Sequence, residues 1–189
     1  MNWIIVPSRY KKTREAYSEI WTDQGSPLIN CTLHLGEKIS SKAGVPVEVT
    51  MRYQYPSIEE GLLKLKNKGC SDIFVVPLYP HYAMSTTLTT ENEVKRIASE
   101  LNLELNLRFI GTFYDKEEYI KSLSTVIAQN RQEESDFLLF SYHGIPNRHL
   151  LKTDPTKNHC LKVKNCCDVQ SGATPFCYKA QVLETSKLC

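Results

Sequence analysis

The chain has 189 residues, of which 41% are hydrophobic and 23% are charged, and its formal net charge is +2. This length suits one domain of ordinary size, with room for part of a second. The near balance of charges shows neither the basic stripe of a nucleic-acid-binding protein nor the acidic excess of a disordered chain, and no window approaches the roughly 18 apolar residues of a membrane span.

The N-terminal sequence MNWIIVPSRYKKTREAY lacks the basic region and long apolar run of a signal peptide. We therefore expect a cytoplasmic protein whose thiols are mostly reduced. The sequence leaves open both the oligomeric state and contact with a membrane surface.

Five short segments rich in branched or aromatic residues are predicted to be strands. In chain order they are residues 3–6, 45–51, 72–78, 103–110 and 136–142. Several of them are almost continuously apolar, which is typical of strands covered on both faces.

Amphipathic stretches between these segments are predicted to be helices. The clearest has Ser57 as its N-cap, Glu60 as the partner in a capping box and Gly69 as its C-terminal stop. Residues 89–101 and 115–130 also have helical spacing, with acidic residues early. The alternation predicts an α/β protein with three layers, in which helices flank a parallel sheet on both faces.

Ligands of open α/β sheets bind outside the carboxyl ends of the strands. The residues that follow the predicted strands are mostly aromatic, basic or hydroxylic. They include Arg52, Tyr53, Tyr79, His81, Tyr82, Ser85, Thr86, Tyr114, Asp115 and His143. Aromatic faces would cover the plane of a flat apolar ligand, and an arginine would hold a carboxylate at its edge.

His143 stands in the stretch FLLFSYHGIP, where the last predicted strand ends. It could simply end the strand by bonding a loop carbonyl. Its place at the ligand edge, followed by Gly144 and Pro146, favours a role as proton acceptor or metal ligand.

Four of the seven cysteines, Cys160, Cys166, Cys167 and Cys177, lie within eighteen residues of each other. A disulfide conflicts with a reducing compartment. Zinc remains an alternative, although the usual Cys-x-x-Cys pairs are missing, and so does a loop without metal. His159 is a candidate substitute ligand.

Five segments in collinear order resemble motifs of the ferrochelatases, the enzymes that insert ferrous iron into a porphyrin. They are PSRYKKTREAYSEIWTDQGSPL, VTMRYQYPSI, VPLYPHYAMSTT, GTFYDKEEYI and FSYHGIPNRH. The resemblance implies a chelatase-like fold and a role in haem biosynthesis, with protoporphyrin IX or coproporphyrin III as the porphyrin.

The resemblance makes His143 the catalytic histidine, which accepts pyrrole protons and touches the substrate iron. It also implies six residues at or near the porphyrin cleft: Arg9, Arg52, Tyr53, Tyr82, Ser85 and Thr86. In some microbial ferrochelatases cysteines just after the histidine motif hold a [2Fe–2S] cluster, so the resemblance assigns such a cluster to Cys160, Cys166, Cys167 and Cys177.

The resemblance also predicts the domain organisation. Residues 1–148 would be the first α/β lobe of a ferrochelatase, without its opening strand and loop. Residues 149–189 would be the cysteine-rich metal loop and the start of a second lobe. The family's catalytic glutamate belongs to that second lobe, so the chain alone is expected to lack part of the proton pathway.

Two other functions stand as alternatives. A chelatase for sirohydrochlorin, acting with cobalt or iron, would share the architecture, and His81 would then be the additional metal ligand to examine. A non-catalytic iron–sulfur or porphyrin-binding fragment is the second alternative.

Overall fold

A computed structural model describes the backbone of residues 2–131 and 137–189 and, within these ranges, the side chains from residue 10 onward. In this part of the chain there are seven α-helices and two β-strands. The helices are α1 (Asn2–Ile20), α2 (Pro27–Ala43), α3 (Ile58–Asn67), α4 (Thr89–Glu100), α5 (Glu117–Asn130), α6 (Asn147–Thr153) and α7 (Tyr178–Leu188); the strands are β1 (Asp72–Val75) and β2 (Asn106–Phe109).

The chain divides into two compact units, Met1–Cys70 and Ser71–Cys189. In the first, the predicted start and stop of α3 are confirmed. The Ser57 hydroxyl accepts the Glu60 backbone N–H at 3.2 Å. Gly69 has φ +79°, and the Cys70 N–H reaches the Leu65 carbonyl at 3.1 Å, which closes the helix as in a Schellman turn.

Two glycines in the first unit let a non-helical segment lie close to the helices. A Cβ built on Gly36 of α2 would come within 2.5 Å of Val49 Cγ2, and one on Gly61 of α3 would collide with Thr50. The same segment is tied to the end of α3 by Glu48, whose carboxylate lies 2.6 Å from Lys68 Nζ. Residues 48–50 therefore pack against both helices through the two glycine surfaces.

In the second unit, β1 and β2 pair in parallel from Asp72↔Asn106 to Val75↔Phe109. Helix α4 connects them, so the unit contains the βαβ pattern that the alternation predicted. An α/β fold with a parallel sheet is confirmed at this level.

A separate group of buried residues lies near the C-terminal end of this unit. It consists of Leu150, Cys160, Ala173, Cys177 and Ala180.

Three of the five strand predictions differ from the structure. Residues 3–6 lie inside α1, since four apolar residues in a row do not distinguish a strand from a buried helical turn. Residues 45–51 form no strand ladder. Residues 137–142 form none either, and Asp136, where that prediction began, lies outside the described residues.

The prediction that these segments are covered on both faces is also wrong for the last one, because Phe137 is 93% and Leu139 89% exposed. Two predictions hold in shortened form, 72–78 as β1 and 103–110 as β2. None of the helices in the described ranges is long and apolar enough to cross a lipid bilayer.

Candidate functional site

Helix α7 contacts three segments of the second unit that carry predicted site residues. These are the segment after β1, the segment after β2, and the segment that leads to His143. Each contact is made by a polar or aromatic side chain of α7, as the hydrogen bonds below show. The helix therefore fixes these segments relative to one another.

His81, in the segment after β1, is half-buried and hydrogen-bonded to α7. Its Nε2 lies 2.9 Å from the Thr185 hydroxyl oxygen. That hydroxyl donates to the carbonyl of Tyr114 at 2.9 Å, or to that of Gln181 at 3.2 Å. Since one hydroxyl has one hydrogen to give, His81 Nε2 carries the proton in this bond.

Three tyrosine rings surround the His81 imidazole. Tyr114 stacks on it at 6.4 Å between ring centroids, while Tyr142 and Tyr178 meet it edge-on at 5.6 and 5.9 Å. Burial lowers the pKa of His81 below its usual value because it disfavours the imidazolium form. The sequence predicted that residues after the strands would gather, and His81 and Tyr114 do so.

Gln181 is fully buried and hydrogen-bonded at both ends of its amide. Its Oε1 accepts the backbone N–H of Tyr82 at 2.7 Å. Its Nε2 donates to the carbonyl of Pro175 at 2.9 Å and, more weakly, to that of Thr174 at 3.3 Å. The Tyr82 ring, in turn, meets Phe176 edge-on at 5.5 Å.

The segment that carries His143 lies against α7 at two points. The Tyr142 hydroxyl donates to Ser186 Oγ at 2.9 Å, because Ser186 uses its own hydrogen on the Val182 carbonyl at 2.9 Å. Burial raises the pKa of Tyr178, and the nearby backbone of His143 opposes the rise. The His143 residue itself is exposed, so its imidazole is accessible to a ligand.

Ser85 and Thr86 lie in a short π-helical turn, Met84–Leu88, after β1. The Thr86 hydroxyl contacts the Ala83 carbonyl at 3.5 Å. Thr87 is 3% exposed, and its hydroxyl has no hydrogen-bond partner among the described atoms. Single π-helical turns are frequent at functional sites, and an unpartnered buried hydroxyl is costly.

Arg52 and Tyr53 belong to the first unit. The Arg52 guanidinium carbon lies 4.6 Å from the centroid of the Tyr53 ring, a cation–π arrangement. Their loop is closed by a 2.7 Å hydrogen bond from the Met51 N–H to the Pro56 carbonyl. Arg9 is in α1, but its side chain lies outside the described residues.

The four clustered cysteines are free thiols. Cys160 and Cys177 are buried and lie close together, and Cys166 and Cys167 form a second close pair. The pairs are also close, because Cys166 acts electrostatically on Cys160, and Cys177 acts on Cys167.

Burial and neighbouring thiols raise the pKa of two cysteines of this loop, Cys160 and Cys167. Burial is the largest cause that raises the pKa of Cys160 to about 12 and that of Cys167 to about 11. Among the described side chains, no group of three or more His, Cys, Asp or Glu residues is already arranged to hold a metal ion. Because the thiolate is the form that binds metal, the Cys160 and Cys167 thiols would have to lose their protons before a metal could bind.

Sequence reasoning missed the residues of α7, because it treated this helix only as the start of a second lobe. Tyr178, Gln181, Thr185 and Ser186 all contact the segments with the predicted site residues. The one available signal is their spacing. They are separated by three, four and one residues, a spacing that places Tyr178, Gln181 and Thr185 on one face of the helix.

Comparison with known proteins decides the family. The family model described as Ferrochelatase matches residues 1–189. A ferrochelatase of Pseudomonas fluorescens (strain Pf0-1) is 42% identical over 187 residues, which are 98% of this chain and 55% of that protein. The chain belongs to the ferrochelatase family.

Other ferrochelatases show the same relation. That of Stutzerimonas stutzeri (strain A1501) is 40% identical over 97% of this chain and 54% of its own length. That of Opitutus terrae is 39% identical with the same coverage. The chain thus spans about half the length of these curated ferrochelatases, and α7 belongs to the part that they share with it.

Proposed function

We propose that this chain is the part of a ferrochelatase that holds porphyrin beside a catalytic histidine and that the whole protein inserts ferrous iron into protoporphyrin IX or coproporphyrin III. The observation that carries the proposal is the setting of His143. The hydrogen bond from Tyr142 to Ser186 holds its segment against α7, while the His143 residue is exposed. A base for a large flat substrate needs both properties, a fixed position and open access.

The reaction makes two demands on the protein. Two pyrrole protons must leave the macrocycle, and the substrate iron must exchange its ligands for four ring nitrogens. In the proposal the unprotonated His143 imidazole accepts one pyrrole proton and passes it to solvent, after which the same nitrogen can take the second proton or contact the incoming iron, which prefers nitrogen donors of this kind. The same exposed ring serves both steps because they occur at one face of the porphyrin.

The remaining assigned residues would bind the porphyrin. Arg9 and Arg52 would hold its carboxylates, and Tyr53 and Tyr82 would cover apolar parts of the ring. Tyr53 is 65% exposed and has the open face such a contact needs. Ser85 and Thr86 would bond to the edge of the ligand from the π-helical turn.

The proposal keeps the lobe organisation expected from the sequence, a three-layer first lobe over residues 1–148, then a metal loop and the start of a second lobe over 149–189. It also keeps the cytoplasmic location, which fractionation of cells would test.

A sirohydrochlorin chelatase is the weaker candidate. His81 would be needed as its metal ligand, but the imidazole donates to Thr185 and is enclosed by three tyrosine rings.

We further infer that Cys160, Cys166, Cys167 and Cys177 hold a [2Fe–2S] cluster. The donor set fits, because four soft thiols grouped in one loop are the number and type of ligand that such a cluster requires. When bound, the cluster would cross-link the loop and could carry one electron. Zinc would use the same four thiols and is the alternative outcome.

The histidine assignment is tested with His143→Ala in the full-length protein. Loss of a general base should reduce iron insertion by about 100-fold or more. Porphyrin affinity, measured by fluorescence on the same variant, should stay within about threefold. His34→Ala is the matched control, because the His34 side chain is 66% exposed in another unit. Turnover near that of the wild type would exclude His143 from the reaction and favour a non-catalytic binding protein.

The cluster is tested by the colour and composition of the isolated protein. We expect a red-brown protein with about two irons and two acid-labile sulfides per chain. Cys166→Ser should remove the colour, whereas Cys31→Ser should not, since Cys31 is an exposed cysteine of α2. One zinc without labile sulfide would replace the iron–sulfur assignment, and a colourless, metal-free protein would contradict any metal at these cysteines.

A further inference from the structure

Asp154 follows α6 directly and is a buried acidic residue, 4% exposed. The hydrogen bonds to its carboxylate come from residues of the loop that starts at Asp154. Oδ1 accepts the Thr156 backbone N–H at 2.9 Å and the Thr156 hydroxyl at 2.7 Å. Oδ2 accepts the backbone N–H groups of His159 and Cys160, each at 2.9 Å. One carboxylate thus fixes the backbone of the first cysteine in the cluster.

His159 makes a second connection, across the loop. Its Nε2 lies 2.7 Å from the carbonyl oxygen of Cys166, and since a carbonyl only accepts, Nε2 carries the hydrogen. The side chain beside Cys160 therefore holds the backbone of Cys166.

The backbone between these two cysteines is unusual. Leu161 has φ +59° and Asn165 φ +55°, so left-handed residues stand directly after Cys160 and directly before Cys166. Leucine has no side-chain group that favours this conformation, so it persists only where the surroundings impose it. The bonds from Asp154 and His159 supply such a constraint without any metal.

We propose that Asp154 and His159 are positioning residues of the cysteine site: they hold the backbone of Cys160 and Cys166 in the shape that presents their thiols to a thiophilic metal, and neither residue is a ligand. This inference rests on the proposed assignment of the four cysteines as metal ligands. It gives His159 a different role from that of a substitute ligand.

The negative charge of Asp154 and its hold on the loop backbone predict opposite effects of Asp154→Asn on metal binding. Its negative charge is among the causes that raise the pKa of the Cys160 thiol. If charge were its only influence, Asp154→Asn would favour the thiolate and strengthen metal binding. If position dominates, the same change replaces one of the two acceptor oxygens by an NH₂ group, so that either the Thr156 N–H or the N–H groups of His159 and Cys160 lose their acceptor, and binding weakens.

The test titrates the metal-free 189-residue chain with Co²⁺ alone, whose thiolate charge-transfer bands report both affinity and the number of bound sulfurs. Asp154→Asn and His159→Phe should each weaken Co²⁺ binding by about 10- to 100-fold, as is usual for groups that orient metal ligands. His159→Gln, which keeps an N–H donor, should stay within about threefold of the wild type. Asn158→Ala, an exposed change in the same loop, is the control. At saturation all variants should show the same band intensity per chain.

Each part of the inference is contradicted by a different experimental outcome. Unchanged or tighter binding by Asp154→Asn would overturn the role of Asp154, and a changed Co²⁺ spectrum in His159→Gln would make His159 a ligand. If Asp154→Asn unfolds, the comparison of His159→Phe with His159→Gln decides the inference by itself. A wild-type chain that forms no thiolate–Co²⁺ bands would overturn the metal site as well as its positioning residues.

Discussion

The buried amide of Gln181 gives the sharpest test of how α7 holds the site. Gln181→Met keeps the approximate volume of the side chain but removes one acceptor and one donor group. The 2.7 Å bond from the Tyr82 N–H is the main loss. The carbonyl of Pro175 belongs to an exposed residue and can bond to water instead, so the loss of its hydrogen bond to Gln181 costs less free energy.

One buried N–H left without a partner costs about 1–3 kcal/mol, and the weakened carbonyl bonds add little. We therefore expect Gln181→Met to reduce the free energy of unfolding by about 2 kcal/mol. For a chain of this size that lowers the melting temperature by about 4–8 °C. Urea unfolding followed by circular dichroism, with the slope unchanged, measures the same quantity independently.

Gln181→Glu keeps the acceptor oxygen of the side chain and replaces the donor NH₂ group by a second oxygen, so it tests the two functions separately. The carboxylate still accepts from Tyr82, but it faces two carbonyl oxygens and must be buried. Burial raises the pKa of such a glutamate above its unfolded value of about 4.3, so relative to wild type this variant should gain stability as pH falls from 7 toward that value.

Gln170→Met, an exposed change of the same type, is the control for both variants and should change nothing. If Gln181→Met matched the wild type, or if the control lost as much, the buried amide would not be what holds α7.

Three further outcomes follow from other contacts. Gly61→Ala should destabilise the chain by about 1–2 kcal/mol because its Cβ would collide with the packed segment, while Gly111→Ala, with nothing within 4 Å, should not. Stability should fall as pH drops below about 6.5, since burial lowers the pKa of His81; His81→Gln should flatten this dependence and His34→Gln should not. Arg52→Leu should weaken binding of a carboxylated porphyrin more than of its ester; equal losses would indicate a packing role.

The three helices whose spans were predicted, α3, α4 and α5, have local signals in the sequence. The cap at Ser57, the stop at Gly69 and the acidic first turn of α5 each act within four residues of the chain. The short segment WIIV carried no such signal, and its four apolar residues fit a helix as well as a strand.

Strands were predicted less well because a strand exists only with a hydrogen-bonded neighbour. Residues 72–75 and 106–109 find each other, and the register between them is regular. Residues 45–51 and 137–142 have strand-like composition without a paired neighbour in the described chain. The amino-acid composition of a segment indicates its propensity to form a strand, whereas strand pairing depends on residues far away in sequence.

Part of the candidate site could be predicted from the rule that ligands bind beyond the carboxyl ends of strands. That rule selected His81, Tyr114 and His143, and the structure gathers the first two around α7 and anchors the third to it. The rule could not select Gln181 or Thr185, because polar residues buried on a helix face are recognisable only when their partners are known.

The position of Tyr178 joins the two parts of the site. It follows Cys177 directly, and its hydroxyl lies beside the backbone of His143. Cys177 lies in the apolar group with Leu150 and Cys160, against which Ile145, two residues after His143, also packs. If the thiols bind metal as proposed, the Cys177 backbone becomes fixed. The adjacent residue Tyr178, whose ring lies beside His143, is then fixed as well. The cysteine loop would then influence the position of the histidine through Tyr178 and through the packing of Ile145, without taking part in the chemistry.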